Sequence, residues 1–230
     1  MKLPLHTEKT FAVHSIFLTI QGEGFHAGRR AVFIRMSGCN VWNGVEKDRE
    51  RDAAQHSQCA AICDTEFKGI DHTKGGDHFT GPQLVNVALA TWGALPGEKF
   101  VVFTGGEPSL QVNNELVALF RARGFYTAME TNGTNPPTNL HWTTLSPKFP
   151  MPYKDMQYDE VKLLSCFLSN GIYRSQAEMI NATFRWIQPV DHDGQRGAKM
   201  TLEVLKCVAF VMSNPGWRMG AQSHKYWNIE

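Results

Sequence analysis

Residues 100–111 read FVVFTGGEPSLQ. The first five are an unbroken apolar and β-branched run, the pattern of a strand buried on both faces, as in parallel sheets. A glycine pair and Glu107 follow at once, and Pro108 opens the way to a helical pattern. A strand that ends in a glycine-rich turn and runs into a helix is a βα unit. Its paired glycines permit a close backbone approach, and Glu107 can take an ammonium group.

Working outward, similar runs predict strands at 31–36, 125–131, 142–146, 159–164, 184–188 and 217–223. Helices are predicted between several of them. Leu84, Val87, Ala88 and Trp92 keep helical spacing behind a Thr80/Gln83 capping box, and Leu116, Leu119 and Phe120 form a stripe that stops at Gly124. A third stripe joins Leu202, Leu205, Ala209 and Met212 ahead of Asn214-Pro215. The polar stretch 41–58 and the Gly/His-rich stretch 68–82 read as loops. The alternation implies an α/β fold with a mainly parallel sheet, in one domain over 1–230 interrupted by an insertion at about 40–63.

Composition excludes much else. Hydrophobic residues make up 42% and charged residues 20%, ordinary for a globular protein. No apolar run is long enough for a membrane helix, and MKLPLHTEKT carries no leader-like apolar stretch, so a cytoplasmic protein is expected. A net charge of +1 speaks against a large nucleic-acid footprint. Five cysteines are too few for a disulfide scaffold in 230 residues.

Polar residues gather where the strands end: Thr104, Glu130 to Asn132, Ser146 and Lys148, Gln188 and Asp191, Gln222 and His224. In barrel-like α/β folds the carboxyl ends of the strands carry the site. Cys39, Cys59 and Cys63 fall within 25 residues. Three thiolates suit an iron–sulfur cluster with one open position; zinc, with His56 or His72 as fourth ligand, and three unrelated thiols are the other readings. Cys166 and Cys207 read as small core residues.

These blocks together resemble the radical S-adenosylmethionine superfamily and, within it, the 7-carboxy-7-deazaguanine synthase family. The resemblance rests on SIFLTIQGEG (15–24), AVFIRMSGCNVWNG (31–44), CDTEF (63–67), VFTGGEPSLQ (102–111), METNGT (129–134), LSPK (145–148), DEVKL (159–163), IQPVD (187–191) and NPGWRMGAQSHK (214–225). It implies a truncated, open βα barrel of about six parallel strands. It also implies a 4Fe–4S cluster, S-adenosylmethionine and Mg²⁺. The implied reaction turns 6-carboxy-5,6,7,8-tetrahydropterin into 7-carboxy-7-deazaguanine with loss of ammonia, through a 5′-deoxyadenosyl radical.

The resemblance assigns Cys39, Cys59 and Cys63 to the cluster and Thr65 to Mg²⁺. Ile62, Cys63, Asp64, Gly106, Glu107, Ser146, Pro147, Lys148, Gln188, Pro189, Val190 and Asp191 would hold S-adenosylmethionine. Ile20, Gln21, Gly22, Arg35, Thr104 and Glu230 would hold the pterin. A homodimer and an electron donor such as flavodoxin are implied as partners. Each residue keeps a plainer reading: Arg35 as an ion-pair partner, Lys148 at the surface, Gln188 at a strand end, His224 in the core. Two departures stand out. The first cysteine gap is nineteen residues long, and the second, Cys59-Ala-Ala-Ile-Cys63, holds three residues where the family has two. Val190 also replaces the Met often found there. The competing readings are another radical enzyme, such as a glycyl-radical activase, and a non-enzymatic zinc module.

Overall fold

A computed structural model describes residues 9–191 and 198–229, with side chains over 9–191 and 202–229. Nine strands form one sheet: β1 (Thr10–Ile20), β2 (Arg30–Met36), β3 (Asp77–Thr80), β4 (Lys99–Gly105), β5 (Phe125–Thr131), β6 (Trp142–Leu145), β7 (Tyr158–Leu164), β8 (Ala182–Gln188) and β9 (Arg218–Met219). Their order is β3-β1-β2-β4-β5-β6-β7-β8-β9, and the sheet is not closed. From β2 to β9 every neighbouring pair is parallel. Six full parallel strands and a two-residue seventh make the expected open partial barrel. β1 pairs antiparallel with β2 and β3, so a short meander extends one edge.

The helices are α1 (Arg49–Gln55), α2 (Cys59–Ile62), α3 (Gly81–Trp92), α4 (Asn114–Ala122), α5 (Gly171–Met179), α6 (Ala198–Ser213) and α7 (Ser223–Trp227). The capping box at α3 is present in both directions, which fixes where that helix starts. Asn113 caps α4, its side chain accepting from Leu116 N at 3.0 Å. Helices α3 and α4 bury Leu84, Ala88, Trp92, Leu116 and Phe120 against Val32, Ile34, Val101 and Phe103 of the sheet. A second core joins Leu145, Val161, Leu163 and Ile187 to Ala177 of α5 and to Cys207 and Phe210 of α6.

Several expectations change. The stretch 41–58 holds α1 and a 3-10 turn at Glu46–Asp48, because Arg49 and Arg51 pair locally with Glu46 and Asp48. The stretch 68–82 contains β3, which pairs along β1 despite its polar sequence. In α6 the stripe of Leu202, Leu205 and Met212 faces solvent at 54%, 58% and 81% exposure, while Glu203, Cys207 and Phe210 are buried. That helix is apolar on two faces, so spacing alone chose the wrong one. Only Arg218–Met219 of the 217–223 run is strand. Among the described residues, no helix is long and apolar enough to cross a membrane.

Candidate active site

The carboxyl ends of the parallel strands open on a cavity of about 490 Å³. β2 contributes Arg35, β4 Thr104, β5 Glu130, β7 Lys162 and β8 Gln188, with Ser146 just beyond β6. Arg35 and Thr104 are register partners on neighbouring strands, which is why both reach the same wall. Of the residues assigned from sequence, Ile20, Gln21, Gly22, Arg35, Cys39, Cys59, Ile62, Cys63, Asp64, Thr65, Thr104, Gly106, Glu107, Ser146, Lys148 and Gln188 line this cavity. Pro147, Pro189, Val190 and Asp191 stand outside the lining. Val190 is buried, and its N–H donates to Ser165 Oγ at 2.9 Å. Glu230 lies outside the described residues.

The glycine pair serves the protein's own packing. Gly105 has φ +118°, and a Cβ on it would strike the Met36 backbone; one on Gly106 would strike the carbonyl of Gly38. The turn after β4 therefore presses on the turn after β2, which carries Cys39. The Glu107 carboxylate is spent on the same purpose. It accepts from Ser109 N at 3.0 Å, Thr131 Oγ1 at 2.5 Å and Asn132 N at 2.6 Å. Three donors on a 1% exposed carboxylate satisfy most of its lone pairs, so the ammonium role read from sequence has a strong internal competitor.

A charged network that the sequence did not announce forms the floor. Lys162 Nζ binds Glu130 Oε2 at 2.8 Å and also a carboxylate oxygen of Glu23. Gln21 Nε2 donates to the other Glu130 oxygen at 3.2 Å, and Gln222 Nε2 donates to the other Glu23 oxygen at 3.0 Å. Burial alone would raise Glu23, but the Lys162 charge and hydrogen bond bring it down to about 2. Burial raises Glu130, with Lys162 only partly offsetting it. Burial would lower Lys162, yet the two carboxylates hold it well above its ordinary value. His224, read as a core histidine, also lines the cavity.

The cysteines divide. Cys39 and Cys63 pack against one small cluster, made of Val41, Trp42, Ala60 and Phe67. Burial raises both thiols. Cys59 instead belongs to the second core, beside Leu145, Phe149 and Phe167, with Cys166 packed against the same group. A hydrogen bond from Cys166 brings Cys59 down to about 6, against the effect of burial. Cys166 sits in a 3-10 turn, not in a strand or helix core. Among the described residues, no three Cys, His, Asp or Glu side chains are grouped to hold a metal ion. The donor set fits a three-thiolate cluster only in part: all three thiols border one cavity, but Ala60, and not Cys59, belongs to the cluster against which Cys39 and Cys63 pack. Among the described residues, Gln188 Oε1 on the cavity wall is buried without a hydrogen-bond partner, an orphaned acceptor that suits a ligand donor.

The fold matches the crystal structure of QueE from Escherichia coli with a TM-score of 0.65, at 24% identity, over 94% of this chain and 95% of that one. The two chains thus share one fold, here an open α/β partial barrel. No protein-family model matches the chain. Proteins named 7-carboxy-7-deazaguanine synthase from Caulobacter vibrioides and Nitratidesulfovibrio vulgaris are each 38% identical, covering 94% and 96% of this chain and 98% and 99% of their own lengths. One of the same name from Bordetella pertussis is 37% identical over 95% of this chain and 99% of its own. The chain belongs to the 7-carboxy-7-deazaguanine synthase family.

Proposed function

We propose that the chain binds a 4Fe–4S cluster, S-adenosylmethionine and Mg²⁺ at this cavity, and converts 6-carboxy-5,6,7,8-tetrahydropterin to 7-carboxy-7-deazaguanine with loss of ammonia. The observation that carries this reading is that one cavity at the strand ends is bordered by all three loop cysteines and by Arg35. Bound there, these cofactors would supply one-electron chemistry for hydrogen abstraction from the substrate.

The chain's own groups do the positioning. Arg35 offers a bidentate fork to the substrate carboxylate. Thr104, Gln21 and the backbone of Gly22 flank it. Lys162 fixes the Glu23 and Glu130 carboxylates, which present acceptors to the amino and ring N–H groups of a pterin. Gln188 Oε1, Ser146 and Lys148, whose ammonium donates to Ser146 Oγ at 2.8 Å, form the opposite wall for S-adenosylmethionine. Thr65 offers an oxygen to a hard cation. The apolar cluster around Trp42 and Phe67 packs against Cys39 and Cys63 and limits their contact with water. A homodimer, an electron donor such as flavodoxin and a cytoplasmic location complete the proposal.

Metal analysis after anaerobic purification tests it. The expected content is about four irons and four sulfides per chain, with absorption near about 400 nm that Cys39→Ala abolishes. One tightly held zinc without sulfide would overturn it in favour of a zinc module. Thr65→Ala is expected to weaken the Mg²⁺ dependence while sparing the cluster, and an unchanged Mg²⁺ titration would remove Thr65 from its role.

A further inference from the structure

α7 is five residues long, at the end of the chain. A helix that short has no stability of its own, so its position is set by what ties it down. At least four ties are present among the described residues. Ser223 N donates to the Gly22 carbonyl at 3.0 Å. Gln222 reaches Glu23 at 3.0 Å. Gly22 itself lies so close to His224 that a Cβ there would collide with the imidazole. These three fasten the segment to the loop proposed to hold the pterin.

The fourth tie points elsewhere. Lys225 Nζ contacts Asp64 Oδ2 at 2.5 Å and Asp191 Oδ2 at 2.9 Å. Asp64 sits on the loop that follows Cys63, and Asp191 ends the segment after β8. These two loops are far apart in sequence and flank the proposed S-adenosylmethionine wall. Asp191 is 6% exposed, so its carboxylate depends on a partner; Asp64 is 47% exposed, so its pairing adds mainly position. One ammonium thus holds two loops and the chain end together.

We infer that Lys225 is a positioning residue that couples the two walls: it fastens the terminal segment closing the pterin side to both loops on the S-adenosylmethionine side. The inference rests on the assignment of those walls made above. It adds that the tail is ordered by one ligand and thereby prepared for the other. Such coupling is reciprocal: if an ordered tail tightens S-adenosylmethionine binding, bound S-adenosylmethionine orders the tail by the same factor.

The test uses cluster-loaded enzyme and S-adenosylmethionine as the probe. In the unmodified protein, hydrogen exchange of the amides in 222–229 is expected to slow when S-adenosylmethionine is added. In Lys225→Met those amides exchange fast with or without it. The KM for S-adenosylmethionine rises about tenfold, the loss of one decade of binding, while kcat changes less than twofold, and Lys225→Arg recovers most of the affinity. A purely structural role would lower stability without this KM-selective, Arg-rescued pattern. The inference is overturned if tail exchange in the unmodified protein ignores S-adenosylmethionine, or if Lys225→Met keeps a wild-type KM. The exchange experiment needs no turnover, so it stands or falls separately from whether the deazapurine is made.

Discussion

Lys162 is the residue on which the cavity floor depends. It is 8% exposed at its side chain and answers two carboxylates that are 12% and 18% exposed. Removing it leaves Glu23 and Glu130 facing each other without a cation, which costs about 3–5 kcal/mol for a buried pair broken on one side. The sign with pH follows. With Lys162 present, Glu23 is lowered from 4.5 to about 2, so its contribution is complete above 4.5 and is lost as pH falls from there through about 2. In Lys162→Met both carboxylates are raised, so the folded state prefers them protonated and loses stability as pH climbs. Thermal denaturation is therefore expected to show a larger deficit for Lys162→Met at about pH 8 than at about pH 5; an equal deficit at both would contradict the pairing. Glu107 makes a second case. With three donors on it, Glu107→Ala is expected to destabilise the fold by about 1–3 kcal/mol through unpaired groups, besides any effect on ligand binding, and denaturant titration measures this.

At the scale of elements, α2 decides how the cysteines meet. It is a single turn, and neighbouring residues on a helix point about 100° apart. The extra residue between Cys59 and Cys63 therefore turns Cys59 toward Cys166 and puts Ala60 in the cluster against which Cys39 and Cys63 pack. The double change Cys59→Ala with Ala60→Cys restores the shorter spacing. It is expected to keep iron and sulfide through a chelator challenge that strips the natural chain. If it holds no more iron than Cys59→Ala alone, the facing of α2 is not what limits the site.

Elements also explain what was legible beforehand. The six parallel strands were found to within about two residues because continuous runs such as FVVF and VKLL have few alternatives. β1 escaped because His14 and Ser15 break its apolar pattern, and β3 because DHFT is polar and gains its order from pairing. In the site, residues inside contiguous blocks such as Thr104 and Ser146 were readable. The Glu23–Lys162–Glu130 network was not, since it exists only once the end of β1 lies over β5 and β7. Glu130 at a strand end and an unexplained lysine in the buried strand DEVKLL were the signals that pointed to it.

For the whole molecule, an open sheet leaves a mouth at the strand ends, and sixteen of the residues assigned from sequence line it, while Pro147, Pro189, Val190 and Asp191 stand outside the lining. The tail, through Gln222, His224 and Lys225, and the cysteine loop both line that mouth, consistent with chemistry that must be kept from water. The most direct measurement is an anaerobic reaction of the cluster-loaded chain with S-adenosylmethionine, reductant, Mg²⁺ and 6-carboxytetrahydropterin, followed by product mass. Formation of 7-carboxy-7-deazaguanine with release of ammonia is the predicted result. Cleavage of S-adenosylmethionine to deoxyadenosine with the pterin left intact would contradict it.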